Sequence, residues 1–340
     1  MSSPAAPPSP TQARADRDGR IERAAALARD LAATTESDRA LPQALVEELR
    51  ATGLMRAGAP VALGGAEASP ARTLGGAEAI ARGDASAGWC VSIAATSSLL
   101  SAYLPELGAS EVFGDPNALA AGVWAPRGRA AVVDRGLRVS GRWSFCSGIS
   151  HSEWLFAGCM VEAGAEGPVM RVAALPAAEL EILDTWHTSG LRGTGSHDAV
   201  AEELFVPDHR VLSLLDAGPR IDAPLYRFPI FGFFALSIAA AALGNARGAL
   251  DDLGELAVGK KGLGSSRVLA ERTGTQAAVG EAEAALRAAR GLYYGAIEEA
   301  WAAAQASAPV SDSLRLGLRL AATHAVRVSA DVARAIGGRT

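Results

Sequence analysis

Two short segments concentrate the side chains able to do chemistry: residues 141–154, GRWSFCSGISHSEW, and residues 184–198, DTWHTSGLRGTGSHD. Ser147 supplies a hydroxyl that both donates and accepts, and Gly148 beside it lets another group approach the backbone closely. His151 lies just past that turn, with an ordinary pKa near neutrality. It is a candidate general base, with a capping or surface role as the alternative. Trp143 and Trp154 either wall a ligand or pack a core. In structural terms alone the two segments read as a Trp-bearing strand, a turn at Gly148 and a Gly-rich loop.

Self-sufficient catalytic motifs are absent. The chain has no GxxxxGK[ST] loop, no HExxH, no GxSxG, and no GxGxxG between a strand and a helix. The glycines of residues 189–196 precede an expected strand, so they do not form the phosphate cradle of a helix N-terminus. His151, His187, His197, His209 and His324 lack metal-ligand spacing, and no metal site is expected. Cys90, Cys146 and Cys159 form no CxxC pair and no even-numbered disulfide framework, which predicts a reducing, cytoplasmic location. A net charge of -5 weighs against a nucleic-acid partner. Lys260 and Lys261 are the only lysines, in a chain that otherwise uses arginine.

The elements that position these residues follow from periodicity. From Asp16 to about Gly114 the apolar spacing is helical, with breaks at Gly53 and Gly58-Ala59-Pro60 and a division near Gly83-Asp84, where Asp84 or Ser86 is the expected N-cap. Beyond Pro116 the period becomes two. Strands are expected at 137–145, 154–161, 169–175 and 199–206, forming a small barrel or sandwich. Long helices then cover 231–258, 266–306 and 311–336. The stretches 85–105 and 228–246 lack charged side chains over a membrane-spanning length. Their Ala, Ser, Thr and Gly content and lack of basic flanks point instead to buried helices, so no membrane association is expected.

This order of helices, sheet and helices, with GRWSFCSG on a strand and GLRGTGS in a later loop, resembles the acyl-CoA dehydrogenase superfamily. Within it the chain is most similar to the two-component flavin-dependent monooxygenases that hydroxylate phenols and polyketide aromatics. The resemblance covers nearly the whole chain from Ala24 to Gly338. The Pro/Ser-rich start at 1–15 reads as a disordered tail, and the order of elements gives an N-terminal helical domain at 16–115, a β domain at 116–215 and a helical domain at 225–340. The resemblance implies that these make an α+β fold with a central flavin-contacting β-barrel and a C-terminal helical bundle. It also implies a reduced flavin, FMN or FAD, delivered by a separate flavin reductase, with a small aromatic substrate and a homotetramer. Ser147 would sit beside flavin N5, with Phe145, Cys146, Gly148 and Trp143 around it. Arg192 belongs to the matching Gly-Leu-Arg-Gly-Thr loop. Lys260 and Lys261 fall near the dehydrogenases' pyrophosphate-binding arginine and are read either as a phosphate clamp or as a solvated helix end. Trp89 and Ser97 are placed near the substrate.

Departures from the family pattern sharpen the reading. The barrel start reads VWAPRGR at 123–129, without the dehydrogenases' acidic residue. Some monooxygenases carry a histidine about eight residues after the helical tryptophan; here that point falls at Ser97, which cannot act as an imidazole base. After Gly337-Gly338 only Arg339 and Thr340 follow, so the last helices of the bundle are expected to be absent and an apolar face of the remaining three exposed. The leading expectation is an aromatic-hydroxylating monooxygenase. An FAD-dependent acyl-CoA dehydrogenase and a non-catalytic flavin-fold protein are the alternatives.

Overall fold

The computed structural model describes residues 10–162, 167–261 and 265–337. Helices α1 (Pro10–Asp30), α2 (Ala32–Asp38), α3 (Gln43–Thr52), α4 (Pro70–Gly83), α5 (Ala85–Leu99) and α6 (Glu106–Phe113) come first. Seven strands follow: β1 (Ala120–Val133), β2 (Gly136–Trp143), β3 (Trp154–Glu162), β4 (Pro168–Pro176), β5 (Glu181–Leu183), β6 (Asp198–Pro207) and β7 (Val211–Leu212). The chain then turns helical again through α7 (Pro224–Arg227), α8 (Ile230–Ala257), α9 (Thr273–Gln305) and α10 (Asp312–Gly337). Of the expected tail, residues 1–9 lie outside the described residues. The remainder differs from expectation, because α1 begins at Pro10, a residue tolerated in a first helical turn.

Local chemistry explains the boundaries. Gly53 closes α3 in the left-handed conformation, and the Asp84 side chain accepts from Ala87 N at 2.8 Å to cap α5. Helix α5 and the first part of the long α8, up to Ala246, carry no charged side chain because they run through the interior: 83% and 56% of the most apolar stretches there are buried. The Ala-rich face of α9, with Ala282, Leu286, Ala289, Tyr293 and Ile297 buried, packs the C-terminal helices together. Leu292 of α9 and Leu316 and Leu320 of α10 face outward.

The strands form one mixed sheet in the order β5-β6-β2-β1-β3-β4-β7, in which only the β1–β3 pair is parallel. Its alternation is that of a half-buried strand: in β2, Leu137, Val139 and Trp143 point inward and Arg138 and Arg142 outward. The expected closed barrel is not formed. Residues of five strands share one core, including Val139, Trp143, Leu155, Leu175 and Ala199, so the sheet curls around it. Its edge strands, however, are only three and two residues long and pair with β6 and β4 rather than with each other. Strands that short offer too few ladder hydrogen bonds to close a barrel.

One irregularity matters for function. The β1–β3 register runs from Val123↔Ala157 directly to Gly128↔Cys159, so residues 124–127 bulge out of the ladder. A bulge re-aims side chains away from the sheet. Here it turns Trp124 toward α8, where its ring stacks on Phe234 at 3.9 Å between centroids.

Candidate active site

The turn after β2 and the loop before β6 are sewn together by backbone hydrogen bonds. Cys146 N donates to His197 O, and Gly148 N donates to Thr194 O. Gly148 takes φ +77°, a conformation available to glycine at little cost. The loop is itself held to the N-terminal helices. Arg192 Nε donates to Glu36 O at 3.1 Å, and Arg39 grips Asp184 through both carboxylate oxygens. The Arg39 guanidinium holds the Asp184 carboxyl down at about 2.

This scaffold places Ser147 at the end of a buried row of hydroxyls. Trp89 Nε1, from α5, donates to Ser147 Oγ at 3.0 Å. Ser147 Oγ meets Ser196 Oγ at 2.7 Å, Ser196 Oγ meets Thr194 Oγ1 at 2.6 Å, and Thr194 Oγ1 donates to Leu191 O at 2.9 Å. Beside Ser147, Phe145 is 67% exposed and sits at φ +66°. A bulky aromatic residue seldom adopts that conformation, and such outliers cluster at ligand sites. Its ring meets Trp186 edge-on at 5.9 Å. A hollow of about 200 Å³ opens along Gly122, Val123, Ala125, Arg127, Ser144 and Phe145, at the β1 bulge.

A second polar feature lies next to it. Ser97 Oγ and Trp124 Nε1 are buried and have no hydrogen-bond partner. Both flank Gly122: a Cβ there would stand 2.7 Å from Ser97 Oγ and 2.9 Å from Trp124 Nε1. Two unpaired polar groups converging on one small residue are an energetic cost unless a ligand or water satisfies them.

The other expected site residues are placed differently. Trp143 and Cys146 are wholly buried in the sheet core. Trp143 Nε1 donates to Gly158 O, and burial pushes the Cys146 thiol up to about 12, so both side chains serve packing rather than ligand contact. Trp89 bears on Ser147 directly. Trp154 stacks under the Arg210 guanidinium at 5.0 Å. His151 is half-buried behind Gly148. Burial, aided by the nearby Arg50 charge, lowers its pKa to about 4, which leaves it a neutral and weak base. Lys261 follows α8 at the end opposite Phe234; more than twenty helical residues at about 1.5 Å each separate the two within one chain. Among the described residues no His, Cys, Asp and Glu side chains group as a metal site. A hollow of about 670 Å³ between α1, α4, α8 and α9 is lined by none of the expected site residues, and within it Arg82 pairs with Asp251 and Arg290 with Glu78.

Periodicity alone did not reveal Trp124, because the bulge that aims it breaks the strand alternation. The Ala-Pro that follows it at 125–126 was the available signal.

The residues present fit a flavin: Ser147 supplies a buried hydroxyl with an acceptor position to spare, and the exposed Phe145 ring is held out beside it. The helical segments match the acyl-CoA dehydrogenase N-terminal domain over residues 17–112 and the C-terminal domain over residues 236–338. Fold and site thus define an acyl-CoA dehydrogenase-type flavoprotein. The chain is 37% identical over 309 residues to an indole-3-acetate monooxygenase of Pseudomonas putida, spanning 90% of this chain and 79% of that one. It is 32% identical over 302 residues to the oxygenase component of an FADH2-dependent resorcinol hydroxylase of Rhizobium sp., spanning 85% and 74%. The crystal structure of 3-HSA hydroxylase from Rhodococcus sp. RHA1 superposes with a TM-score of 0.88 at 27% identity, over 95% of this chain and 86% of that one. The chain belongs to the flavin-dependent monooxygenases of the acyl-CoA dehydrogenase superfamily, and reduced flavin is the cofactor of that branch. This family membership displaces the dehydrogenase alternative.

Proposed function

We propose that the chain is the oxygenase component of a two-component system, hydroxylating a small aromatic compound that carries an oxygen substituent. The observation that carries this reading is the pair of unpartnered groups, Ser97 Oγ and Trp124 Nε1, set against the stacked rings of Trp124 and Phe234. An indole N–H only donates, so the partner it awaits is an acceptor: a carboxylate, phenol or carbonyl oxygen. The rings supply an apolar wall for the aromatic body of the same molecule.

Reduced FAD is the expected cofactor, in keeping with the FADH2-dependent relative, and a separate reductase is its expected source. When bound, it supplies the two electrons with which O2 delivers one oxygen atom to the ring while the other leaves as water. The protein's own part is positional. Ser147 would hold the ring edge of the flavin, Phe145 and Trp186 would shield its face, and Ser97 with Trp124 would orient the substrate. Buried helices α5 and α8 exclude bulk water from that side. His151 stays neutral through the physiological range and leaves proton traffic to the hydroxyls. The three free, buried thiols suit a reducing cytoplasm.

The test is a single turnover. Purified protein loaded with reduced FAD, mixed with ¹⁸O2 and indole-3-acetate or resorcinol, should yield product carrying one ¹⁸O atom by mass spectrometry. Peroxide released in equal yield to flavin oxidised, with no labelled product from a panel of phenols and aryl acids, would overturn the reading.

A further inference from the structure

The hydroxyls around Ser147 form a chain with a fixed donor at one end and a fixed acceptor at the other. Trp89 Nε1 can only donate, and Leu191 O can only accept. Each hydroxyl between them owns one proton. If Thr194 gives its proton to Leu191 O, Ser196 must give its own to Thr194, and Ser147 must give its own to Ser196. Every proton then has a partner. Ser147 is left with no proton to offer and one lone pair open, so it faces the site as an acceptor.

The opposite order is possible but poorer. For Ser147 to donate outward, Ser196 must turn its proton to Ser147 and Thr194 must turn its own to Ser196. The Thr194–Leu191 bond is then given up. Leu191 O keeps Trp186 Nε1 at 2.9 Å and Thr194 N at 3.2 Å, so the reversal leaves no group stranded and costs about one hydrogen bond.

We infer that Ser196 and Thr194 are positioning residues that hold Ser147 as a hydrogen-bond acceptor and thereby make the site select reduced over oxidised flavin. The inference rests on the flavin site proposed above. Reduced flavin carries a proton on N5 and meets the open lone pair. Oxidised flavin presents a lone pair at N5 and is met only after the chain reverses. One neutral hydrogen bond corresponds to about a fivefold difference in affinity between the two forms. Because three buried hydroxyls act in series, the discrimination is set up to two residues away from the group that makes the contact.

The test is anaerobic titration of the full chain with oxidised FAD and with dithionite-reduced FAD, giving the ratio of the two dissociation constants. Ser196→Ala removes the acceptor that holds the Ser147 proton, and Thr194→Val forces Ser196 to donate back toward Ser147. Each should lower the preference for reduced FAD about fivefold. The midpoint potential of bound FAD should become more negative by about 20 mV, from the 29.6 mV per tenfold of a two-electron couple. Thr194→Ser, which keeps the hydroxyl, should restore the native ratio. Equal weakening of both forms in Ser196→Ala and Thr194→Val, with the ratio unchanged, would mean a merely structural role and overturn the inference. Ser147→Ala separates the two levels of argument: if it alters neither affinity, the flavin site itself is misassigned; if it alters them while the other two variants keep the native ratio, only the proton order is wrong.

Discussion

Trp89 Nε1 donates to Ser147 Oγ across 3.0 Å, so a helix from one side of the molecule holds the hydroxyl that emerges from the sheet on the other. The indole donates whichever way the hydroxyl chain is ordered. Trp89→Phe should therefore weaken oxidised and reduced FAD together, by about fivefold for one lost hydrogen bond, and leave their ratio unchanged. Fluorescence titration of both forms checks this. A change in the ratio would mean that the indole also sets the proton order.

Gly122 leaves the space that Ser97 and Trp124 face. A Cβ added there meets Ser97 Oγ at 2.7 Å and Trp124 Nε1 at 2.9 Å, too close without displacing one of them. Gly122→Ala should weaken indole-3-acetate binding at least about tenfold, and Trp124→Phe about fivefold, through loss of the donor. Equilibrium dialysis of the flavin-loaded protein reads both, and FAD affinity should stay near native in each.

The legible part of this molecule was the part ruled by periodicity. Strands expected at 137–145, 154–161, 169–175 and 199–206 correspond to β2, β3, β4 and β6, and the three long C-terminal helices stand where their apolar spacing put them. Strand β1, the longest, escaped because its bulge interrupts the alternation. Closure of the sheet was misjudged because edge pairing depends on the two- and three-residue strands β7 and β5, too short to carry a pattern. Ser147 stands in a segment that the sequence marks by its small, polar and aromatic residues. Its partners Trp89, Ser196 and Thr194 lie 58, 49 and 47 residues away or arrive through a chain of contacts, and no local signal joins them.

His151 makes stability depend on pH. Its folded-state pKa is depressed to about 4 by burial and by Arg50, against 6.5 for the free side chain. Between those values the unfolded chain binds a proton that the folded protein refuses. Stability is therefore lost as pH falls from 6.5 toward 4, by up to about 3 kcal/mol, and this contribution levels off below 4. His151→Gln should flatten that portion of the curve in urea denaturation. An unchanged slope would mean the imidazole titrates normally in the fold.

Arg56 is a buried cation that holds a turn. Its guanidinium donates to four backbone carbonyls, those of Leu63, Phe113, Asp115 and Ala118, at 2.6 to 2.9 Å. Arg56→Met removes all these donors at once and leaves buried carbonyls unpaired. The cost should be about 3 kcal/mol by chemical denaturation, larger than for any exposed arginine. Arg56→Lys should recover only part of it, since a single ammonium cannot span the same fork.

Two glycines of one loop should answer oppositely to alanine. Gly193 packs against α2 so closely that a Cβ would fall 2.0 Å from Thr35 Cγ2 and 3.0 Å from Thr35 O. Thr35 is fully buried, so it has nowhere to retreat without moving its helix. Gly193→Ala should cost about 2 kcal/mol, the usual penalty of overpacking. Gly190 has nothing within 4 Å of the same position, and Gly190→Ala should change stability by less than about 0.5 kcal/mol. The pair also reports on the site. Moving residue 193 drags Thr194 and Ser196, so Gly193→Ala should reduce the preference for reduced FAD as well, whereas Gly190→Ala should leave it native. Thermal unfolding and the paired FAD titrations, run on the same two variants, decide whether loop docking and flavin selection are coupled through those two hydroxyls.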